Sequence, residues 1–142
     1  MRTKDARMKA LAKVPLLSGL SQRELAHVLA LGDEVEFFPG KVVVEIGDLA
    51  RDFYMILTGK ARLTVPGKKN RTLGPGDYFG EMAVLDGGPR TATIVAQTHV
   101  SALRIDRKDF LSLLHVNGSI SRKILIEMSK RVRASEAAAG HH

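Results

Sequence analysis

The sequence contains no cysteine, and that one absence excludes disulfides, thiolate zinc sites and cysteine nucleophiles. It fits a reducing compartment, and the chain is expected to be cytoplasmic. No apolar run approaches the length of a bilayer-spanning helix, and the N-terminus lacks the apolar core of a signal peptide. Aromatic residues make up 5% of the chain, too few to interleave with its basic residues as a base-stacking platform. His27, His99 and His115 fall on three separate segments with no paired spacing. A metal-dependent β-barrel enzyme needs clustered ligands on facing strands, so no metal site and no metal cofactor are expected. No nucleophile–base pair stands out, and no residue is assigned a catalytic role.

What is present fits one domain of 142 residues, 44% of them apolar, enough for a single core. The formal net charge is +7. Much of the excess lies at the ends, in Arg2, Lys4, Arg7, Lys9 and Lys13, then in Arg122, Lys123, Lys130, Arg131 and Arg133. Such a balance could attract nucleic acid, an anionic membrane surface or a small anionic ligand. For most of these residues the plainer reading is two solvated helix faces. The final Gly140-His141-His142 reads as the remnant of a purification tag.

Three stretches differ in grammar. Residues 1–32 read as helical: Ala6, Ala10 and Leu11 recur at helical spacing until Val14-Pro15 stops the run. Ser21 then opens a second helix, and Glu24 three residues on completes a capping box. Residues 33–106 alternate short β-rich runs with Gly/Pro corners. The runs are 35–38, 42–44, 53–57, 61–65, 91–96 and 100–105, and the pattern predicts a small antiparallel, jelly-roll-like β roll. Residues 107–138 return to helix: Phe110, Leu111, Leu113 and Leu114 form a short segment that breaks at Asn117-Gly118. Ile120, Ile124, Met128 and Val132 then recur every four residues. The expected class is α+β, a β roll flanked by N-terminal and C-terminal helices, in a single domain over residues 1–139.

The chemistry concentrates in Phe79-Gly80-Glu81-Met82-Ala83-Val84-Leu85-Asp86-Gly87-Gly88-Pro89-Arg90-Thr91-Ala92-Thr93. A strand ends at Phe79, and Gly80 lets the backbone turn close to a neighbour. Residues 81–85 have the composition of one helical turn, whose start presents unpaired N–H groups to an anion. Arg90 follows Pro89 and sits among small residues, and a guanidinium fork matches two phosphate oxygens. Glu81 is of like sign to a phosphate, but it can accept a hydrogen bond from a sugar hydroxyl. The pattern suits a nucleotide with one phosphate; it equally suits a surface turn closed by a Glu81–Arg90 ion pair.

The stretch resembles the phosphate-binding cassette of the cyclic nucleotide-binding domains found in kinase regulatory subunits, gated channels and catabolite-activator-type regulators. A second pattern upstream matches the same family: Val43-Val44, Gly47-Asp48, Ala50, the apolar run Phe53-Tyr54-Met55-Ile56, and Gly59. Two patterns at the right separation are far more specific than one. The resemblance implies that Arg90 pairs with the cyclic phosphate and Glu81 accepts from the ribose 2′-hydroxyl. It also implies that Phe79 leads into a turn where Gly80, Met82, Ala83 and Ala92 present amides, and that Leu63 lines the purine pocket. Thr91 stands where threonine can bond the guanine amino group or, in other relatives, the phosphate; it can also bond locally. The preference is read as cAMP over cGMP. Arg131 lies where channel-type relatives place an arginine over the purine, so the last helix, with Ile124 and Met128, is expected to act as a lid.

The function implied is allosteric sensing without catalysis: a cyclic nucleotide (cAMP or cGMP) is the ligand, and the C-terminal helices move in response. The effector (a channel, kinase or other module) is expected to lie outside this chain, with no direct nucleic-acid contact and no membrane insertion by this domain. The alternative is the sensor half of a catabolite-activator-type DNA-binding regulator, which needs a helix-turn-helix beyond the last helix.

Overall fold

Residues 3–49, 52–80, 87–116 and 118–139 are described by a computed structural model, and they run helices, strands, helices as the sequence pattern predicts. Helix α1 spans Lys4–Ala12, started by Thr3, whose hydroxyl accepts from the Ala6 N–H at 3.2 Å. A 3-10 turn at Pro15–Leu17 follows. Helix α2 spans Gln22–Leu31 and carries the predicted capping box. Ser21 Oγ accepts from the Glu24 N–H at 3.1 Å, while Glu24 Oε1 accepts from the Ser21 N–H at 2.9 Å.

Eight strands come next: β1 Asp33–Phe37, β2 Val42–Val44, β3 Phe53–Thr58, β4 Ala61–Thr64, β5 Arg71–Leu73, β6 Tyr78–Phe79, β7 Thr93–Ala96 and β8 Val100–Ile105. Two differences from the sequence reading have physical causes. Strand β5 holds one apolar residue in three, so it has no alternation to detect, yet it pairs with β4 through Ala61↔Leu73 to Leu63↔Arg71. Strand β7 starts at Thr93 rather than at residue 91, because Thr91-Ala92 still bends out of the loop carrying Pro89 and Arg90. Helix α3 (Arg107–Val116) is opened by Asp106, whose carboxylate accepts from the Asp109 N–H at 2.8 Å. Helix α4 runs Gly118–Ala139.

The strands make two antiparallel four-stranded sheets, ordered β1-β8-β3-β6 and β2-β7-β4-β5. They close on each other as the expected roll. Strand β3 explains why Phe53-Tyr54-Met55-Ile56-Leu57 does not alternate: all five are buried, because both faces of their sheet are covered. Phe53, Met55 and Leu57 join the helices in one apolar cluster, whereas Tyr54 and Ile56 join the roll interior. Gly59 turns the chain into β4 at φ +91°, and a side chain there would collide with the His99 carbonyl oxygen. Helix α4 lays Ile120, Ile124 and Met128 into the helical cluster beside Leu16 and Phe110. The stripe spaced by four is thus a packing face against α3 and the 3-10 turn. No helix among the described residues is long and apolar enough to cross a membrane.

Candidate functional site

Strand β6 delivers Phe79 and then Gly80, and the chain returns through residues 87–92 into β7. The return loop is stitched to the turn after β2. The Arg90 N–H donates to the Asp48 carbonyl at 2.8 Å, and the Gly47 N–H donates to the Arg90 carbonyl at 2.9 Å. The Ile46 N–H donates to Thr93 Oγ1 at 3.0 Å. The two patterns recognised separately in the sequence are therefore one physical unit, since Gly47-Asp48 fixes the backbone that carries the arginine.

The side chain of Arg90 is 5% exposed, and Nε, Nη1 and Nη2 are buried with no hydrogen-bond partner. Among the described residues no carboxylate forms an ion pair with it. Burying an unpaired cation costs several kcal/mol, by order of magnitude. The arrangement is that of a preformed anion receptor: a desolvated charge with its donors free. Gly80, at φ +90°, makes room for it. A Cβ there would lie 2.6 Å from Arg90 Nη1 and 2.5 Å from the Asp52 carbonyl oxygen. Arg90 Cζ also lies 6.0 Å from the centroid of the Tyr54 ring, which stacks on Phe79 at 5.0 Å with planes 16° apart. Burial first, then the Asp52 charge, pushes the Tyr54 hydroxyl above its ordinary pKa, against opposing pulls from Arg104 and Arg90. The phenol stays neutral, so the guanidinium meets a ring face and not an anion.

Of the residues singled out from the sequence, Phe79, Gly80 and Arg90 converge here. Leu63 is half-buried, packs on the roll interior and pairs in register with Ile94 and Arg71. Thr91 is exposed and Ala92 half-buried on the path into β7. Glu81, Met82 and Ala83 lie outside the described residues, as does Leu85. Arg131 falls within α4, but its side chain is outside what is described. Tyr54 was legible only as a member of the apolar run 53–57 and Asp52 only as the residue before it; nothing in their spacing marks them as neighbours of Arg90. No group of acidic or histidine side chains among the described residues could hold a metal ion.

Residues 34–117 match the sequence model of the cyclic nucleotide-binding domain, which covers both patterns and all eight strands but for Asp33. The chain is 33% identical over 127 residues to a cyclic AMP receptor protein of Thermus thermophilus, over 86% of this chain and 59% of that one. It is 35% identical over 115 residues to a cAMP-dependent protein kinase regulatory subunit of Emericella nidulans, over 80% of this chain and 28% of that one. The chain thus spans less than two thirds of these relatives. Among solved structures, the Thermus thermophilus catabolite activator protein superposes with a TM-score of 0.78 at 32% identity, over 89% of this chain and 62% of that one. A regulatory domain of Toxoplasma gondii PKA co-crystallised with cAMP gives 0.74 at 27% identity, over 89% and 49%.

Proposed function

The chain belongs to the cyclic nucleotide-binding domain family, and on that premise we propose that it is a non-catalytic sensor that binds cAMP in preference to cGMP and signals by moving its C-terminal helices. The observation that carries the reading is the Arg90 guanidinium, buried to 5% exposure with all three nitrogens unpartnered. A cyclic phosphate carries one negative charge on a diester whose free oxygens match that fork. In this reading Arg90 takes the phosphate and Glu81 the ribose 2′-hydroxyl. The amides of Gly80, Met82, Ala83 and Ala92 complete the cradle, Leu63 lines the purine site and Arg131 caps it from α4. Because Ile124 and Met128 are buried among the helices, a lid requires α4 to leave or rotate within that packing. The nucleotide can drive this only by its differential affinity for the two arrangements.

The relatives divide over the effector. The long match to the Thermus receptor protein favours a catabolite-activator-type DNA-binding partner module, and the match to kinase regulatory subunits favours a kinase; in both, this chain is the sensing part. One calorimetric titration series tests the proposal, with cAMP, cGMP and 2′-deoxy-cAMP in parallel. cAMP is expected to bind tightest and the 2′-deoxy analogue more weakly. Absence of binding by either ribonucleotide would overturn the sensor reading, tighter cGMP would reverse the preference alone, and equal affinity for the deoxy analogue would remove the role of Glu81.

A further inference from the structure

A phosphate-binding arginine must be aimed as well as charged, and Arg90 has no hydrogen bond to aim it. Its backbone is clamped by Gly47 and Asp48, but several rotatable bonds separate that clamp from the guanidinium. The side chain is confined by two surfaces: the bare Cα of Gly80 and the ring of Tyr54, 6.0 Å from Cζ to centroid. Tyr54 is itself immobilised. It is 6% exposed, stacked on Phe79 at 5.0 Å, set edge-on to Phe37 at 6.3 Å, and pinned in β3 between Phe79 of β6 and Arg104 of β8.

We propose that Tyr54 is a positioning residue for the anionic ligand: its ring face holds the Arg90 guanidinium in its aim while leaving every N–H free for the phosphate. The inference rests on the reading of Arg90 as the phosphate anchor. The physical argument is one of competition. A carboxylate would fix a guanidinium firmly, but by occupying the donors and cancelling the charge that the phosphate needs. A ring face attracts the cation through its quadrupole and takes no donor, and the attraction grows when the pair is dry. The neighbouring Asp52 fits this division of labour, since its carbonyl packs against Gly80 and its carboxylate forms no ion pair with the arginine.

The test is cAMP titration of Tyr54→Phe, Tyr54→Leu and phenylalanines of increasing fluorination at position 54, with melting curves run alongside. Phe keeps the ring and is expected to bind within about twofold of wild type, whereas Leu is expected to lose about tenfold, roughly 1.4 kcal/mol. Fluorination withdraws the negative ring face at nearly constant shape, so affinity should fall stepwise, about threefold at the highest substitution, even if Tyr54→Leu folds poorly. In an Arg90→Ala background Tyr54→Leu should add no further loss. Unchanged affinity across the fluorinated series, or a full additive loss in that background, would overturn the positioning role while leaving Arg90 as anchor. Failure of the wild type to bind cAMP would instead remove the reading on which the inference stands.

Discussion

The two faces of the sheet β1-β8-β3-β6 are built from alternate residues of the same strands, and they are built for opposite ends. On the helical side Phe53, Met55, Leu103 and Ile105 meet Leu16, Phe110 and Ile124 in a continuous apolar cluster. On the roll side Tyr54, Ile56 and Ala102 meet β4, β5 and β7, and there the interior admits a buried cation beside Tyr54. Apolar burial contributes on the order of 25 cal/mol per Å², whereas an unpaired buried charge subtracts. One face supplies stability and the other spends some of it on a receptor for an anion. A domain of this size has only about 5–15 kcal/mol in hand, so the receptor is tolerable because the cluster on the helical face is built from apolar side chains.

Substitution on each side should therefore separate stability from affinity. Phe110, 1% exposed and 4.5 Å from the Phe53 ring, lies wholly on the helical face. Phe110→Ala is expected to cost about 3–5 kcal/mol of unfolding free energy, while molecules that remain folded bind cAMP with nearly native affinity. Arg90→Ala should do the reverse. Affinity falls by roughly 2–4 kcal/mol, about thirty- to a thousand-fold, and the melting temperature of the ligand-free protein holds or rises, because an unpaired buried cation has been removed. Calorimetry and thermal melts on the pair read both effects. If Arg90→Ala destabilises the ligand-free protein as Phe110→Ala does, the guanidinium is structural and the contrast between faces collapses.

Thr91→Ala is a finer probe of the roll side. The residue is exposed at the mouth of β7, and one neutral hydrogen bond is worth about 0.5–1.5 kcal/mol. A several-fold drop confined to cGMP is expected, which titration of both nucleotides would show. An equal drop for both would move the hydroxyl onto the phosphate.

What could be read beforehand followed the range of the interaction that writes it. The capping box of α2 is local, and Ser21 and Glu24 announce it three residues apart. The cassette and the Gly47-Asp48 pattern each show in fewer than twenty residues, but their mutual hydrogen bonds join positions some forty residues apart and leave no mark in either segment. Tyr54 looks like any other member of a buried run; only the register Tyr54↔Phe79 brings it under Arg90. The stripe of Ile120, Ile124 and Met128 shows that α4 has an apolar face, which periodicity detects, but not whether helices or a ligand covers it. Strand β5 escaped because Arg71-Thr72-Leu73 is held by β4, and its own composition gives little sign of a strand.

The smallest expected effect tests whether the two faces communicate, and it centres on Lys123. Its Nζ donates to the Gly19 carbonyl at 2.7 Å and lies 3.5 Å from Glu24 Oε1, tying α4 to the N-terminal helices. The pair is partly exposed, so its loss should lower the melting temperature by only about a degree or two. If α4 must leave this packing to cap the purine, the tie opposes binding, and Lys123→Ala should tighten cAMP affinity by about twofold. Lys123→Arg, which can remake the pair, should not. The Ser21 N–H bond foremost, then Ser119 and the Lys123 charge, hold the Glu24 carboxyl below its ordinary pKa, against a smaller opposing effect of burial. A carboxylate with a lowered folded pKa contributes in full above its unfolded value, and that contribution is lost as pH falls through the folded value. The difference between Lys123→Ala and wild type should accordingly be constant near neutrality and shrink in acid, as Glu24 takes up its proton, to what the Lys123–Gly19 hydrogen bond contributes. Equal affinities for wild type and Lys123→Ala at neutral pH would mean that α4 can move without breaking this tie, or that it does not move at all. In the second case the helical face is a support for the roll and no part of the signal.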